Sequence, residues 1–358
     1  MVKIGIIGTG LIACYHATQI KNCGADCKIT AVCDIDEEKM NRFVSDLELG
    51  DVKKYTDYRQ LIEESGIDLA SVCTSNDAHK EIAMAVANKK INLLCEKPLG
   101  LDAKEVSDMG KACDEAGIIN MTGFTYRRIP AMAKIKKLID DGTLGKIYHY
   151  RARFYADRLA NPSHEIEWRH LEEKAGSGVL GDLASHTLDM ALYLLDSQCK
   201  KLKDVYADGA IIIPERKDKD GKLCKVTTDE TCTVIGHFEN GCEMVLENSR
   251  YSPFDVEIHI SGEKGSIKYS LLDYDAYELQ LYESPADYFH TYRRVEVEPE
   301  NVNGKALPTD RMARQYLYLT QCIQKGEMAH PTITETIYIQ ELLDVMKKSY
   351  KEQKKLSL

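Results

Sequence analysis

"VKIGIIGTGLIA", residues 2–13, decides how the rest of the chain is read. A short apolar run ends at Gly8-Thr-Gly10, and "LIACYHATQIKN" continues from it as a helix. Strand, glycine turn and helix in that order open a dinucleotide-binding unit. Gly8 and Gly10 permit the tight turn and let the main chain approach a pyrophosphate, while Ala13 keeps the helix near the strand. The helix N-terminus supplies amide donors and the positive end of its dipole. Leu11 and Ile12 fill the two variable positions and join the candidate cofactor contacts. A glycine turn with a purely structural role is the competing reading. The second strand, "CKITAVCDID", is closed by Asp34. A carboxylate there accepts hydrogen bonds from ribose hydroxyls and repels a 2′-phosphate, which favours NAD over NADP. Asp36 and Glu37 extend the negative character.

The alternation continues. "EEKMNRFVSDLE", "AHKEIAMAVANKK" and "AKEVSDMGKACDEAG" read as helices, and "DLASVCTSND", "INLLCEKP" and "IINMTGF" as strands. Strands alternating with helices imply a parallel sheet covered on both faces, here over residues 1–124. After that the pattern changes. "IPAMAKIKKLIDDGTLG" is an amphipathic helix and "KIYHYRARFY" alternates like a half-buried strand. From 203 to 300 strand-like runs such as "AYELQLYES" are separated by turn signals including "ENG" and "EKG", and the tail from about 309 is helical. The expected fold is α/β: an N-terminal Rossmann domain, 1–124, and a C-terminal α+β domain, 125–358, with a large, mostly antiparallel open sheet.

The formal net charge of −10 over 358 residues argues against a nucleic-acid surface and an anionic membrane. The N-terminus lacks the pattern of a secretory signal, and no apolar run approaches the ~20 residues of a membrane span. A cytoplasmic protein is expected. The 12 cysteines form no CxxC pair and no metal-ligand spacing. Cys33, Cys73 and Cys95 read as small buried hydrophobes, and no metal is expected.

Thr74, Ser75 and Asn76 end the third strand, where the crevice of such a sheet opens. His79 follows, either as a helix-start ligand or as a packing histidine. Glu96-Lys97-Pro98 ends the fourth strand. The proline fixes the chain after Lys97, and a lysine there can stabilise negative charge developing on a substrate oxygen. In "KAGSGVLGDLASHTLDMALYLLD", residues 174–196, a glycine loop runs into a helix. Asp182, His186, Asp189 and Tyr193 fall on one stripe, Ala184, Leu188, Ala191 and Leu195 on another. Asp182 and His186 at i and i+4 point the same way; a solvated polar face is the alternative.

The order of these features (G-x-G-x-x-A, the acid after the second strand, "TSNDAH", "EKP", then "WRHLEEKAGSGVLGDLASHTLD") resembles the glucose-fructose oxidoreductase / inositol dehydrogenase / rhizopine-catabolism (Gfo/Idh/MocA) superfamily over nearly the whole chain. Within it, the chain looks most like levoglucosan-dehydrogenase-type glycoside 3-dehydrogenases. The resemblance implies that Lys97, Asp182 and His186 are catalytic and face the nicotinamide. His186 is then the general base, Asp182 orients the sugar or the imidazole, and Lys97 bonds the reacting oxygen. Asp189 reads as structural. By the same resemblance Glu96, Arg127, Trp168 and Arg169 join the cofactor contacts, and Tyr126 lines the cleft. Arg153, Tyr155, His164 and Tyr338 are further candidate sugar contacts.

The function so implied is NAD-dependent oxidation of a secondary ring hydroxyl of a sugar or glycoside, at C3 of a glucoside. Four alternatives stay open: an inositol or cyclitol dehydrogenase, a glycosidase-like oxidation–elimination enzyme, a sugar-nucleotide dehydrogenase using Arg127, Arg128, Arg151, Arg153 and Arg158, and a catalytically silent sensor. NAD recycled in place without release is also open. The expected partner is a small sugar or glycoside, and the resemblance implies a homodimer or homotetramer.

Overall fold

The computed structural model describes residues 1–282, 291–302 and 305–358; the end of the strand run "AYELQLYES", residues 283–284, lies outside them. The chain divides into two compact units, Met1–Arg128 with Asn301–Gln340, and Ile129–Glu300 with Glu341–Leu358. The first unit begins β1 (Val2–Ile7), α1 (Leu11–Asn22), β2 (Cys27–Cys33), α2 (Glu37–Asp46), β3 (Lys53–Tyr55), α3 (Tyr58–Glu64), β4 (Leu69–Val72), α4 (Asn76–Asn88), β5 (Asn92–Cys95), α5 (Ala103–Ala116) and β6 (Asn120–Thr122). The second follows with α6 (Pro130–Asp140), β7 (Ile147–Tyr155), α7 (Glu172–Ala175), α8 (Ser185–Leu195), β8 (Leu202–Ala210), β9 (Glu215–Lys217), β10 (Leu223–Lys225), β11 (Thr231–Phe238), β12 (Glu243–Ser249), β13 (Asp255–Gly262), β14 (Gly265–Ser270), β15 (Ala276–Leu281) and β16 (Arg293–Glu296). After β17 (Asn301–Val302) and β18 (Lys305–Ala306) come α9 (Arg311–Lys325), α10 (Ile337–Glu352) and β19 (Leu356–Ser357). Among the described residues no helix is long and apolar enough to cross a membrane.

In the first unit all six strands are parallel, in the order β3-β2-β1-β4-β5-β6. The order reverses between β1 and β4, the switch point where such sheets bind ligands. Asp36, Asp57 and Asp102 cap α2, α3 and α5 through main-chain amides of the first turn. Each such cap contributes about 1 kcal/mol.

The expected second domain, 125–358, took in the whole tail. The structure instead returns residues 301–340 to the first unit. The reason is coverage, because a parallel sheet must be buried on both faces. Met312, Ala313, Tyr316, Leu319 and Cys322 of α9 share a core with Ile4, Ile6, Ala13, Ala17 and Val32. On the other face, Leu61, Ile82, Val86, Val106 and Met109 complete a second core.

The second unit is built on a sheet in the order β16-β15-β14-β13-β7-β12-β11-β8-β19. Every neighbouring pair is antiparallel except β7 and β12. Side chains alternate across a strand. Tyr150, Ala152 and Phe154 of β7 are therefore buried, and the Tyr150 hydroxyl donates to Thr187 O of α8 at 3.0 Å. Arg151, Arg153 and Tyr155 lie on the opposite face.

The sequence predicts one α-helix through Asp182 and His186. The structure has a π-helical turn at Leu180–Ala184 and only then α8. The wider turn leaves Asp182 and His186 half-buried, whereas Asp189 is 1% exposed and belongs to the core. The glycine loop before it serves one close approach. The Asp229 carboxylate accepts from Gly178 N at 2.7 Å and Leu180 N at 2.8 Å, and Val179 N donates to Asp229 O at 3.0 Å. A Cβ on Gly178 would stand 1.6 Å from Asp229 O.

A buried charge pair braces the neighbouring loop. Arg216, with no exposed side-chain surface, donates to Leu159 O, Asn161 O and His164 O at 2.7, 2.8 and 3.3 Å, and meets Glu230 at 3.4 Å. His170 is fully buried and accepts from Glu167 N at 3.0 Å. Burial, then the charges of Arg250 and Arg216, hold its pKa down to about 4.

Two outcomes are expected. Gly178→Ala places a methyl group against main chain that cannot move aside, and should destabilise the protein by about 3 kcal/mol, read as a lowered thermal midpoint. His170 has a folded pKa below its unfolded value of about 6.5, so between the two the unfolded chain binds a proton that the native state refuses. Stability therefore falls as pH drops from about 6.5 to about 4, by about 3 kcal/mol. His170→Asn should remove that part of the slope in unfolding midpoints measured at neutral and mildly acid pH.

Candidate active site

Each unit carries its own part of the candidate set. In the first, Gly8 has φ +90°, and a Cβ there would lie 2.8 Å from Cys73 C and O. Only glycine brings β1 this close to the end of β4. Gly10 is the opposite case, since a Cβ there meets nothing nearer than Lys39 Nζ at 4.0 Å. No side chain among the described residues caps α1 at Gly10. Asp34, 8% exposed, ties the turn to β2. Its Oδ2 accepts from Thr9 N and Thr9 Oγ1, both at 2.7 Å, and its Oδ1 from Asp36 N at 3.0 Å. Lys39 Nζ stands 3.3 Å away. Burial works against ionisation, but the Thr9 and Asp36 donors and Lys39 outweigh it and hold the carboxyl below its ordinary range. Leu11 is 72% exposed and Ile35 92%. A rigid turn, open over Gly10, uncapped at the helix and flanked by two exposed aliphatic side chains, fits a dinucleotide. Ile12 is half-buried against the core.

Ser75 occupies the N-cap position of α4 without a side-chain capping bond, and its hydroxyl donates to Asp77 Oδ1 at 2.6 Å. Thr74 Oγ1 donates to Ser75 O at 3.3 Å, and Asn76 is buried. Of the two readings of His79, the structure shows the packing histidine. It is 1% exposed, with Nδ1 3.0 Å from Pro98 O and Nε2 3.3 Å from Thr74 O. Its ring joins the loops after β4 and β5 and does not open on a ligand. Glu96 is likewise turned inward: it is 6% exposed, with Oε1 2.9 Å from His16 Nε2. Lys97, the next residue, is half-buried at the strand end. Tyr126 is buried under the Arg311 guanidinium at 4.8 Å, with Arg127 half-buried beside it. Tyr338 is half-buried in the first turn of α10.

In the second unit Trp168, Arg169 and Asp182 come together. The Arg169 guanidinium lies 4.3 Å over the Trp168 ring, and its Nε is 3.6 Å from Asp182 Oδ2. Arg250, 3% exposed on its side chain, donates from Nη2 to the same oxygen at 3.4 Å and from Nη1 to Arg169 O at 3.3 Å. A carboxylate between two guanidinium groups accepts charge-assisted hydrogen bonds and is held in place by them. The His186 ring lies on Phe154, centroids 5.8 Å apart, and Phe154 meets the edge of Phe254 at 6.3 Å. His164 is on the loop pinned by Arg216, its ring 6.5 Å from that of His170.

Two expected sugar contacts are not brought to this place. Arg153 and Tyr155 lie across the sheet from Phe154 because strand residues alternate faces. Arg153 is paired with Asp255 at 2.6 Å and Glu257 at 3.3 Å, and the Tyr155 hydroxyl donates to Glu247 at 2.5 Å. Arg151 meets Glu247 at 3.2 Å and Arg158 meets Glu167 at 2.6 Å. Arg128 stacks on Tyr318 and donates to His330 O. Each of these four arginines is matched with an acid or a ring. Sequence reading missed Arg250, Asp229, Lys39 and Phe254. The separation of 68 residues between Arg250 and Asp182 leaves no local signal.

Residues 2–124 match the model of the Gfo/Idh/MocA oxidoreductase family, NAD-binding Rossmann fold, and residues 132–268 match the family's C-terminal domain. Myo-inositol 2-dehydrogenase of Thermotoga maritima is 31% identical over 268 residues, 74% of each chain. Levoglucosan dehydrogenase of Pseudarthrobacter phenanthrenivorans is 32% identical over 271 residues, 70% of this chain and 67% of that one. A solved levoglucosan dehydrogenase in complex with NADH and levoglucosan superposes with a TM-score of 0.88 at 25% identity, covering 99% of both chains. The chain therefore belongs to the Gfo/Idh/MocA family of oxidoreductases, and residues 2–124 are that family's NAD-binding Rossmann domain.

Proposed function

We propose that the protein oxidises a secondary ring hydroxyl of a sugar or glycoside with NAD, and that C3 of a glucoside is the position attacked. The observation that carries this reading is the division of labour around Asp182. With two guanidinium groups on its carboxylate, Asp182 is an orienting acceptor, and the proton-taking role falls to the nearby imidazole of His186. Imidazoles titrate near neutrality, which suits a general base. In this reading a ring nitrogen of His186 takes the proton of the reacting hydroxyl. Lys97 donates from Nζ to the same oxygen and favours its alkoxide character. Asp182 accepts from a neighbouring hydroxyl and fixes the ring. Gly8, Gly10 and the first-turn amides of α1 hold the pyrophosphate, and the remaining lone pairs of Asp34 take the ribose hydroxyls. NAD, when bound, supplies two-electron acceptance at the nicotinamide.

A cyclitol is the second substrate class, because myo-inositol 2-dehydrogenase is as similar to this chain as levoglucosan dehydrogenase is. The same reading takes the chain as a cytoplasmic homodimer or homotetramer.

Three outcomes test it. With NAD and a panel of glycosides, free sugars and cyclitols, NADH absorbance should rise together with a product lighter by two hydrogens. Release of aglycone without net NADH would mark an oxidation–elimination enzyme instead. Lys97→Met and His186→Ala should each lower kcat by about 10³-fold while leaving NADH binding, followed by fluorescence, intact. Asp34→Ala should weaken NADH by about tenfold and narrow its preference over NADPH, because Lys39 remains to meet a 2′-phosphate. An unchanged ratio would place the ribose elsewhere.

A further inference from the structure

Immediately before Lys97 the chain buries a charge. Glu96 sends its carboxylate into the first unit, where Oε1 lies 2.9 Å from His16 Nε2 and Oε2 accepts from Lys97 N at 3.3 Å. Room for it exists because residue 123 is glycine: a Cβ there would stand 2.5 Å from Glu96 Oε1. His16, on α1, has no exposed surface, and its Nδ1 is 2.6 Å from the Tyr316 hydroxyl of α9. Ser71 Oγ, on β4, is 2.8 Å from that hydroxyl and 3.2 Å from His16 Nδ1. Tyr316 and Ser71 are also fully buried.

Two proton arrangements satisfy this chain of bonds: a neutral His16 donates from Nε2 to Glu96 and accepts at Nδ1 from the Tyr316 hydroxyl, and a protonated His16 donates from both nitrogens. Burial disfavours the imidazolium, but Cys73, Tyr316 and Glu96 outweigh it and hold the His16 pKa well above its ordinary value. Burial likewise disfavours the Glu96 carboxylate, and His16, Lys97 and His79 bring its pKa below the usual range. A protonated His16 donates from both nitrogens, to Glu96 and to the Tyr316 oxygen. Tyr316 then donates to Ser71, and Ser71 has Cys73 Sγ at 3.7 Å as its acceptor.

Stability does not account for such a group. A buried ion pair is commonly no better than well-packed apolar side chains of the same volume. Its location is the informative part: the network runs from α9 through α1 to the main-chain amide of Lys97. We propose that His16, Tyr316 and Ser71 are positioning residues for Lys97, acting through Glu96. The proposal rests on the catalytic reading of Lys97 above. The network holds Glu96 Oε1, and Oε2 in turn accepts from the Lys97 amide, so the backbone from which the Lys97 side chain departs is fixed. It also joins that backbone to the helix that carries the glycine turn, so cofactor and lysine share one frame.

The test uses the full-length protein with NAD and the best substrate of the panel. Tyr316→Phe keeps the ring and removes the hydroxyl; His16→Gln keeps a donor to Glu96 and removes the charge. Tyr316→Phe should lower kcat about tenfold and His16→Gln about a hundredfold, with the sugar KM and NADH affinity within about threefold of wild type. Tyr316→Phe, the milder change, serves if His16→Gln fails to fold. The same substitutions are then placed in a Lys97→Ala background, with NADH formation followed in single turnover at high protein concentration. There they should cost nothing further. Wild-type kcat in a folded network variant, beside an inactive Lys97→Ala, overturns the positioning role alone. So does a loss that multiplies with that of Lys97→Ala. Wild-type turnover in Lys97→Ala by itself overturns the catalytic reading, and this proposal with it.

Discussion

Taking a carboxylate out of water costs several kcal/mol unless its lone pairs are filled, and four segments that carry the candidate site are each tied to the rest of their unit through one acid, fully or partly buried. Asp34 holds the glycine turn through the amide and hydroxyl of Thr9. Glu96 holds the end of β5 through His16 and the Lys97 amide. Asp229 holds the start of the π-helical turn through two amides. Asp182 holds Arg169 and Arg250 together. In every case the acid reaches a segment distant in sequence and fixes main chain or a cation there. Loops have few apolar contacts to define them, so a filled carboxylate is an efficient way to give them one conformation.

The partners chosen for each acid also set what it can do. Asp34 is bonded by neutral donors on both oxygens, with Lys39 alone bringing charge, and keeps capacity for further hydroxyl donors. Glu96 is paired with a buried imidazole and closed off from ligand. Asp182 faces two guanidinium groups, which hold it as an acceptor of hydrogen bonds. His186 has an aromatic ring beside it, and so differs in kind from the acid one turn earlier. Environment thus gives different surroundings to two residues that a motif presents as a matched pair.

How much of this the sequence discloses depends on distance along the chain. The glycine turn and Asp34 lie within one βαβ unit and are legible from spacing. The parallel sheet is legible from alternation, and the second sheet from its turn signals. The return of α9 to the first unit is not, because an amphipathic helix does not say which sheet it covers. The π-helical turn is hidden because residues 180–184 carry an ordinary helical pattern. His79 and Glu96 carry the right chemistry at the right strand ends, yet their side chains turn inward to partners that no local pattern announces. His16 and Tyr316, 300 residues apart, are an extreme of the same effect. Arg153 and Tyr155 fail for a simpler reason: strand alternation puts them on the face opposite Phe154, and period-two reasoning from the buried Tyr150 would have placed them there.

Anchored acids fix the reaction more tightly than the substrate. A secondary ring alcohol needs a base, a donor to its oxygen and an acceptor for its neighbour, and those demands are alike for a glycoside and a cyclitol. Relatives acting on either ring can therefore be equally similar to one chain. Telling the rings apart requires groups that leave a polar atom unpaired when the wrong ring binds, and such groups discriminate only when they are held still. The loop from Leu159 to His164 meets that condition, with three of its carbonyls accepting from the buried Arg216 guanidinium. Phe254 is 47% exposed beside Phe154 and offers an apolar ring of the kind that pairs with the C–H face of a pyranose. A loop braced by a buried cation is held still in the sense that such discrimination requires.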